Sequence, residues 1–249
     1  MKKTLTILGG ALAVSSISAS AAITLVAGWD AFNNTITPTA THLAADTTAT
    51  LTTSATGGNW DDWNNSSGHG TSVDGTFGSL SSAVATASTV GSTGSNQNRN
   101  LSLNRGRKPG TLSFSLVNTS GVDRTMDGFY FDAVGRFAGS AKNWDLTFGG
   151  AISGTAASGV LTQTNLNTAT AAQRDKFVDL SGLTDNIWEA GSTATFSIVF
   201  GPGPAGATGG GQETVIDNIG ITADVVPEPS TFALFGLGGL AMILRRRRA

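Results

Sequence analysis

The chain has 249 residues, 15 basic and 17 acidic groups, 33 glycines and no cysteine. Without cysteine it has no disulfide, thiolate metal site, thiol nucleophile or lipidated cysteine. Its charge is unevenly placed: Lys2, Lys3 and Arg245 to Arg248 sit at the ends, and residues 22–225 carry nine basic and 16 acidic groups, net −7, which repels nucleic-acid phosphates.

In chain order, the first segment is MKKTLTILGGALAVSSISASAA. A basic start, an apolar stretch from Leu5 to Val14 and the small-residue run Ala19-Ser20-Ala21 predict a secretory signal peptide over 1–21. Cleavage is expected after Ala21, with Ala22 as the near alternative, so the exported chain starts at Ala22 or Ile23.

Residues 22–225 read as one β domain, long enough to bury a core. The period-two pattern of half-buried strands recurs along it. In TLSFSLVN, Leu112, Phe114 and Leu116 share a face; in NWDLTFGG, Trp144, Leu146 and Phe148; in TATFSIVFG, Ala194, Phe196, Ile198 and Phe200. Further strands are expected at ITLVAGW, ATLTT, RNLSLN, DGFYFDAV, KFVDLSG and ETVIDNIGITADV. Gly, Asn, Ser and Thr clusters between them read as loops, and the one helical candidate is a turn or two near Thr168 to Arg174. Many short strands with Gly-rich turns predict an all-β fold, a jelly-roll-type antiparallel β-sandwich. VIDNIGI, in the last strand before the C-terminal stretch, resembles the final strand of galactose-binding-like and carbohydrate-binding-module jelly rolls.

In GGNWDDWNNSSGHG the composition predicts a surface loop carrying Trp60 and Trp63. Two exposed indoles flanked by Asp61, Asp62, Asn64 and Asn65 would suit contact with a glycan. Alternatively, either indole plugs one end of the sandwich, as Trp144 is expected to do within its strand. SGHGTSVDG around His69 resembles the histidine box of subtilisin-like proteases, but the Asp and Ser boxes of a triad are missing. The other histidine is His42, and neither H-E-x-x-H nor G-x-S-x-G occurs. An enzyme would therefore have to use carboxylates, from Asp61, Asp62, Asp127, Asp132, Asp145 and Asp217; a pair of these is what glycoside hydrolysis requires. Solvated loop and edge carboxylates are the plainer expectation.

Asp127, Asp132, Asp217 and Asn218 offer oxygens to calcium, but no D-x-D-x-D-G loop is present and the metal is left unknown. No cofactor is expected. Thr48, Thr50 and Thr52 line one side of a strand, as in β-type ice binders, but no repeat follows at solenoid spacing, so ordinary β propensity explains them. GPGPAGATGGGQ, 201–212, has no Gly-Lys-Ser/Thr ending and no following helix, and reads as a connecting loop rather than a phosphate cradle.

The last stretch is VVPEPSTFALFGLGGLAMILRRRRA. Its apolar run, Thr231 to Leu244, spans 14 residues. As a helix that is about 21 Å, short of the ~30 Å hydrocarbon core. The arginines behind it can snorkel to the interface and favour a cytoplasmic end. Pro227-Glu228-Pro229, then an apolar helix over 231–244, then the basic tail Arg245, Arg246, Arg247 and Arg248 resemble the PEP-CTERM protein-sorting signal, also labelled the ice-binding protein C-terminal domain.

That resemblance implies export through the inner membrane and transient anchoring there. It implies processing at the motif by a membrane-embedded exosortase, and delivery to the cell surface or extracellular matrix. It covers about Val226 to Ala249 and bears on destination rather than on the body. For the body, the first expectation is a non-catalytic surface or matrix protein; the second is a module binding exopolysaccharide; the third is a carboxylate-dependent glycoside hydrolase.

Overall fold

Alternating apolar and polar side chains build two antiparallel sheets whose apolar faces meet. The structure is a computed structural model, and it describes residues 23–30, 32, 38–56, 59–64, 99–104, 109–203 and 212–225. All of them belong to one compact unit, Ala22–Val226.

The strands are β1 (Thr24–Trp29), β2 (His42–Leu43), β3 (Thr47–Ala55), β4 (Asn59–Asn64), β5 (Arg99–Asn104), β6 (Gly110–Asn118) and β7 (Arg124–Gly135). Then come β8 (Asn143–Gly150), β9 (Ala157–Val160), a 3-10 turn (Leu166–Thr168), the short helix α1 (Ala171–Arg174), β10 (Asp175–Asp179), β11 (Ile187–Trp188), β12 (Thr193–Phe200) and β13 (Thr214–Val225). Sheet 1 has the order β10-β7-β13-β1-β2, with β11 on β7, β5 on β13 and β4 on β5. Sheet 2 has the order β3-β6-β12-β8-β9.

The chain changes sheet repeatedly, from β6 to β7 to β8, from β9 to β10, and from β12 to β13. The last strand inserts between β7 and β1. Long connections that cross between two sheets and return a late strand beside the first make this a jelly-roll sandwich. Each of the nine strands expected from the pattern is present. The helical turn falls at Ala171–Arg174, where Thr170 and Gln173 form a capping box.

The core lies between the sheets. Leu112, Phe114 and Leu116 from β6 and Phe196, Ile198 and Phe200 from β12 face Met126, Phe129 and Phe131 from β7 and Ile219 and Ile221 from β13. Phe129 stands at the junction, 5.4 Å from both Phe114 and Phe196 by ring centroids and 6.0 Å from Phe131. Trp144 is buried on β8, edge-on to Phe131 at 5.1 Å. A Cβ at Gly159 would come within 2.7 Å of its indole, so the neighbouring strand needs glycine there.

The segment around Trp60 departs from expectation. It is not a loop: Asn59–Asn64 forms β4, paired along its whole length with β5. Trp60 is 4% exposed. Its Nε1 donates to Ser54 O at 2.8 Å, and its ring meets Phe200 edge-on at 6.0 Å. Gly110 makes the room, since a Cβ there would lie 3.0 Å from the Trp60 ring and 2.6 Å from Leu103. A bulky apolar ring gains more from this packing than the local Gly/Asn composition gains from staying a loop.

Candidate functional site

The residues singled out above separate into distinct environments. Trp60 belongs to the core, so its indole presents no face to a ligand. Trp63 pairs with Asn100 through the backbone, while its side chain, like those of Asp61 and Asp62, lies outside the described residues. Outside them too are Asn65, His69, Ala21, Ala22, Pro227, Glu228, Pro229, the 231–244 run and Arg245 to Arg248.

Asp132 and Asp217 are cross-strand partners on β7 and β13, 3% and 2% exposed. Asn218 locks them. It sits at φ 47° in the irregular register between Asp217 and Gly220. Its Nδ2 donates to Asp132 Oδ2 at 2.9 Å and its backbone N–H to Asp217 Oδ1 at 3.0 Å. Asparagine tolerates the left-handed region better than most residues, so the bulge and its carboxylate ties are built together. These two carboxylates are adjacent and covered rather than opposed across a cleft. Asp127 accepts from Thr222 Oγ1 at 3.0 Å, and Asp145 is exposed on the outer side of β8. Among the described residues no three His, Cys, Asp or Glu side chains gather as metal ligands.

The outer face of sheet 2 carries a different chemistry. The alternation that sends Leu112, Phe114, Phe196 and Ile198 inward sends Ser and Thr outward. Strand register then aligns them into rows. One row runs Thr52, Ser113, Ser197, Thr147; the next runs Thr50, Ser115, Thr195, Gly149. Neighbours in a row sit about 4.8 Å apart and rows about 7 Å apart, from strand spacing and rise.

The Ser and Thr residues of these rows line an open trough of about 450 Å³, together with Phe114, Phe148 and Phe196. Its polar lining is seven hydroxyls and contains no charged group. Thr52 and Thr147 donate long hydrogen bonds back to the sheet, to Ser113 O at 3.5 Å and Ser197 O at 3.4 Å. Gly149 keeps the second row open, because a Cβ there would stand 2.9 Å from Thr195 Oγ1. Hydroxyls both donate and accept. An uncharged array of them suits a ligand that is itself neutral and rich in hydroxyls.

Comparison with known proteins gives one family match and several distant structural likenesses. The chain is similar over 73% of its length to the enzymatically active domain of bacteriophage CBA120 tailspike protein 4, at 9% identity and TM-score 0.33, covering 20% of that chain. Over 69% it is similar to a carbohydrate-binding module of the β-sandwich superfamily, at 11% identity and TM-score 0.32, covering 56% of that chain. Over 80% it is similar to the family 11 carbohydrate-binding module from Clostridium thermocellum, in complex with a β-1,3-1,4-mixed-linked tetrasaccharide, at 9% identity and TM-score 0.31, covering 96% of that chain. The chain thus spans a fifth and about half of the length of the first two. No curated protein matches it. Among the described residues no helix is long and apolar enough to cross a membrane. The family match falls on residues 225–248 and takes in Pro227-Glu228-Pro229, the apolar run and Arg245 to Arg248: the chain carries a PEP-CTERM protein-sorting motif.

Proposed function

We propose that the protein is exported, processed at its sorting motif by an exosortase, and delivered to the cell surface or extracellular matrix, where its β-sandwich body acts by binding rather than by catalysis. The observation that carries the export and processing is the PEP-CTERM motif at 225–248, beginning where β13 ends. Changing Pro227-Glu228-Pro229 to alanines removes the recognition element and leaves the apolar run and arginines to hold the chain. The variant is expected in the inner membrane with its arginines attached. The wild-type surface form is expected to begin at Ala22 or Ile23 and to lack Arg245 to Arg248. Fractionation with intact-mass measurement reads both. A surface form that keeps the arginines would replace processing with a plain tail anchor.

A second reading concerns what the body binds, and the hydroxyl trough favours it: a neutral polysaccharide laid across β3, β6, β12 and β8. Thr52→Val with Thr195→Val deletes two hydroxyls and keeps shape and β-branching. At about 1 kcal/mol per hydrogen bond, the pair is expected to weaken binding of the organism's neutral exopolysaccharide about 30-fold. The melting temperature should stay within a few degrees. Unchanged affinity would remove the trough as the site.

A further inference from the structure

On the outer face of sheet 1 lies a second surface with the opposite character. Most aromatic side chains with described surroundings are buried between the sheets, but Phe177 on β10 is 55% exposed. Its cross-strand partner on β7 is Tyr130, and the two rings lie 4.6 Å apart by centroid with a tilt of 38°. Gly128 makes this arrangement possible. A Cβ there would stand 2.5 Å from Tyr130 Cε2 and 2.8 Å from Phe177 Cε2, so both rings reach over the bare backbone at this position. Tyr130 covers one side of the Phe177 ring and the rest of that ring is open to solvent.

Carboxylates border the pair. Asp179 follows Phe177 by two on β10, and Asp127 precedes Tyr130 on β7, held by Thr222 Oγ1. Asp224 stands beyond Asp127 on β13, its Oδ1 buried without a hydrogen-bond partner. Burial raises the Asp224 carboxyl above its ordinary value, and Asp127 raises it further. The Tyr130 phenol is raised by burial, then by Asp127, with the Thr222 hydrogen bond opposing and Asp179 adding. The basic residues of this part of the chain are engaged elsewhere. Lys176 Nζ donates to Gln173 O at 2.8 Å and feels Asp132 and Asp175, and Arg174 pairs with Asp175 at 3.3 Å.

We propose that the Tyr130–Phe177 pair, with Asp127, Asp179 and Asp224 around it, is a second glycan subsite that selects sugars bearing a free amine. The proposal rests on the reading of the body as a glycan-binding module and assigns it a further face and a ligand class. A pyranose presents C–H groups that stack on an aromatic face. An ammonium beside them is attracted by the same ring and pairs with the carboxylates. A neutral sugar would leave the carboxylates partly desolvated with nothing in return, and an anionic one would be repelled. The trough on sheet 2, uncharged throughout, has no such preference.

The test uses purified full-length protein and isothermal titration with glucosamine hexamer, N-acetylglucosamine hexamer and hexalysine. Glucosamine hexamer is expected to bind at least tenfold more tightly than its acetylated counterpart. Phe177→Ala, and separately Asp127→Asn with Asp179→Asn, should each lower that affinity tenfold or more. Both aspartates keep an acceptor as asparagine, so the Thr222 and Ser181 hydrogen bonds survive. Gly128→Ala, which forces the rings up, should act in the same direction. The Thr52→Val, Thr195→Val protein should bind glucosamine hexamer like wild type, which separates failure of this subsite from failure of the trough. Equal binding by Phe177→Ala overturns the proposal, and so does equal affinity for the acetylated hexamer. Hexalysine binding as tightly, with the same dependence on Phe177, would make the surface a peptide site and also overturn it.

Discussion

Phe129→Ala is expected to destabilise the protein by about 3–5 kcal/mol, the range for truncating a fully buried phenylalanine. Phe129 has no exposure and touches rings from both sheets, Phe114 and Phe196 across the sandwich and Phe131 along its own strand. The cavity it would leave is walled by paired strands that cannot collapse inward without breaking register. Phe177→Ala removes the same side chain from an exposed site and should cost about 1 kcal/mol or less. Urea unfolding of the two variants against wild type reads the contrast. A loss under about 1 kcal/mol for Phe129→Ala would show that the sheets are not joined through this ring.

The strands were legible because their alternation is strong. In Leu112–Leu116 of β6 and Ala194–Phe200 of β12 every second residue is apolar and inward, and the observed elements begin and end within a few residues of the pattern. β4 was not legible. Asn-Trp-Asp-Asp-Trp-Asn does not alternate, and two glycines precede it, so local chemistry favours a loop. The strand exists because β5 offers six paired positions and because Trp60 finds a hole beside Gly110. Both are tertiary facts. The two-residue strands β2 and β11 are too short to carry any period.

The candidate sites divide in the same way. Each strand of sheet 2 shows its outward hydroxyls in the sequence, and Thr48, Thr50 and Thr52 are conspicuous there. What makes a surface of them is register, which places Thr52 beside Ser113, Ser197 and Thr147, and register is set by pairing between distant segments. Tyr130 and Phe177 are 47 residues apart in sequence and adjacent on the sheet. The alternation around Phe129 and Phe131 already sends Tyr130 outward, but nothing local says that a second ring arrives beside it. The bulge at Asn218 has a local signal, an Asp-Asn pair within an apolar strand, and its carboxylate partner Asp132 lies 86 residues away.

Asn118→Ala is expected to cost about 2–4 kcal/mol, through hydrogen bonds rather than volume. Asn118 ends β6 and has no exposure. Its Nδ2 donates to Val122 O at 3.0 Å and to Trp188 O at 2.9 Å, while its Oδ1 accepts from the Ser120 N–H at 3.1 Å and from the Ser120 hydroxyl. One side chain thus ties the end of a sheet 2 strand to the β6–β7 turn and to β11, which pairs with β7 in sheet 1. Alanine takes the side-chain donor from Trp188 O and the acceptor from the Ser120 N–H, while Val122 O keeps the Ser120 hydroxyl; a buried polar group without a partner costs about 1–3 kcal/mol. Asn118→Asp separates the two halves of the network. It keeps volume and the acceptor for Ser120, but it replaces the donor with an oxygen facing two carbonyls. At neutral pH it should be at least as destabilising as alanine. An aspartate variant as stable as wild type would mean that the donors to Val122 and Trp188 contribute nothing to holding this end of the sandwich.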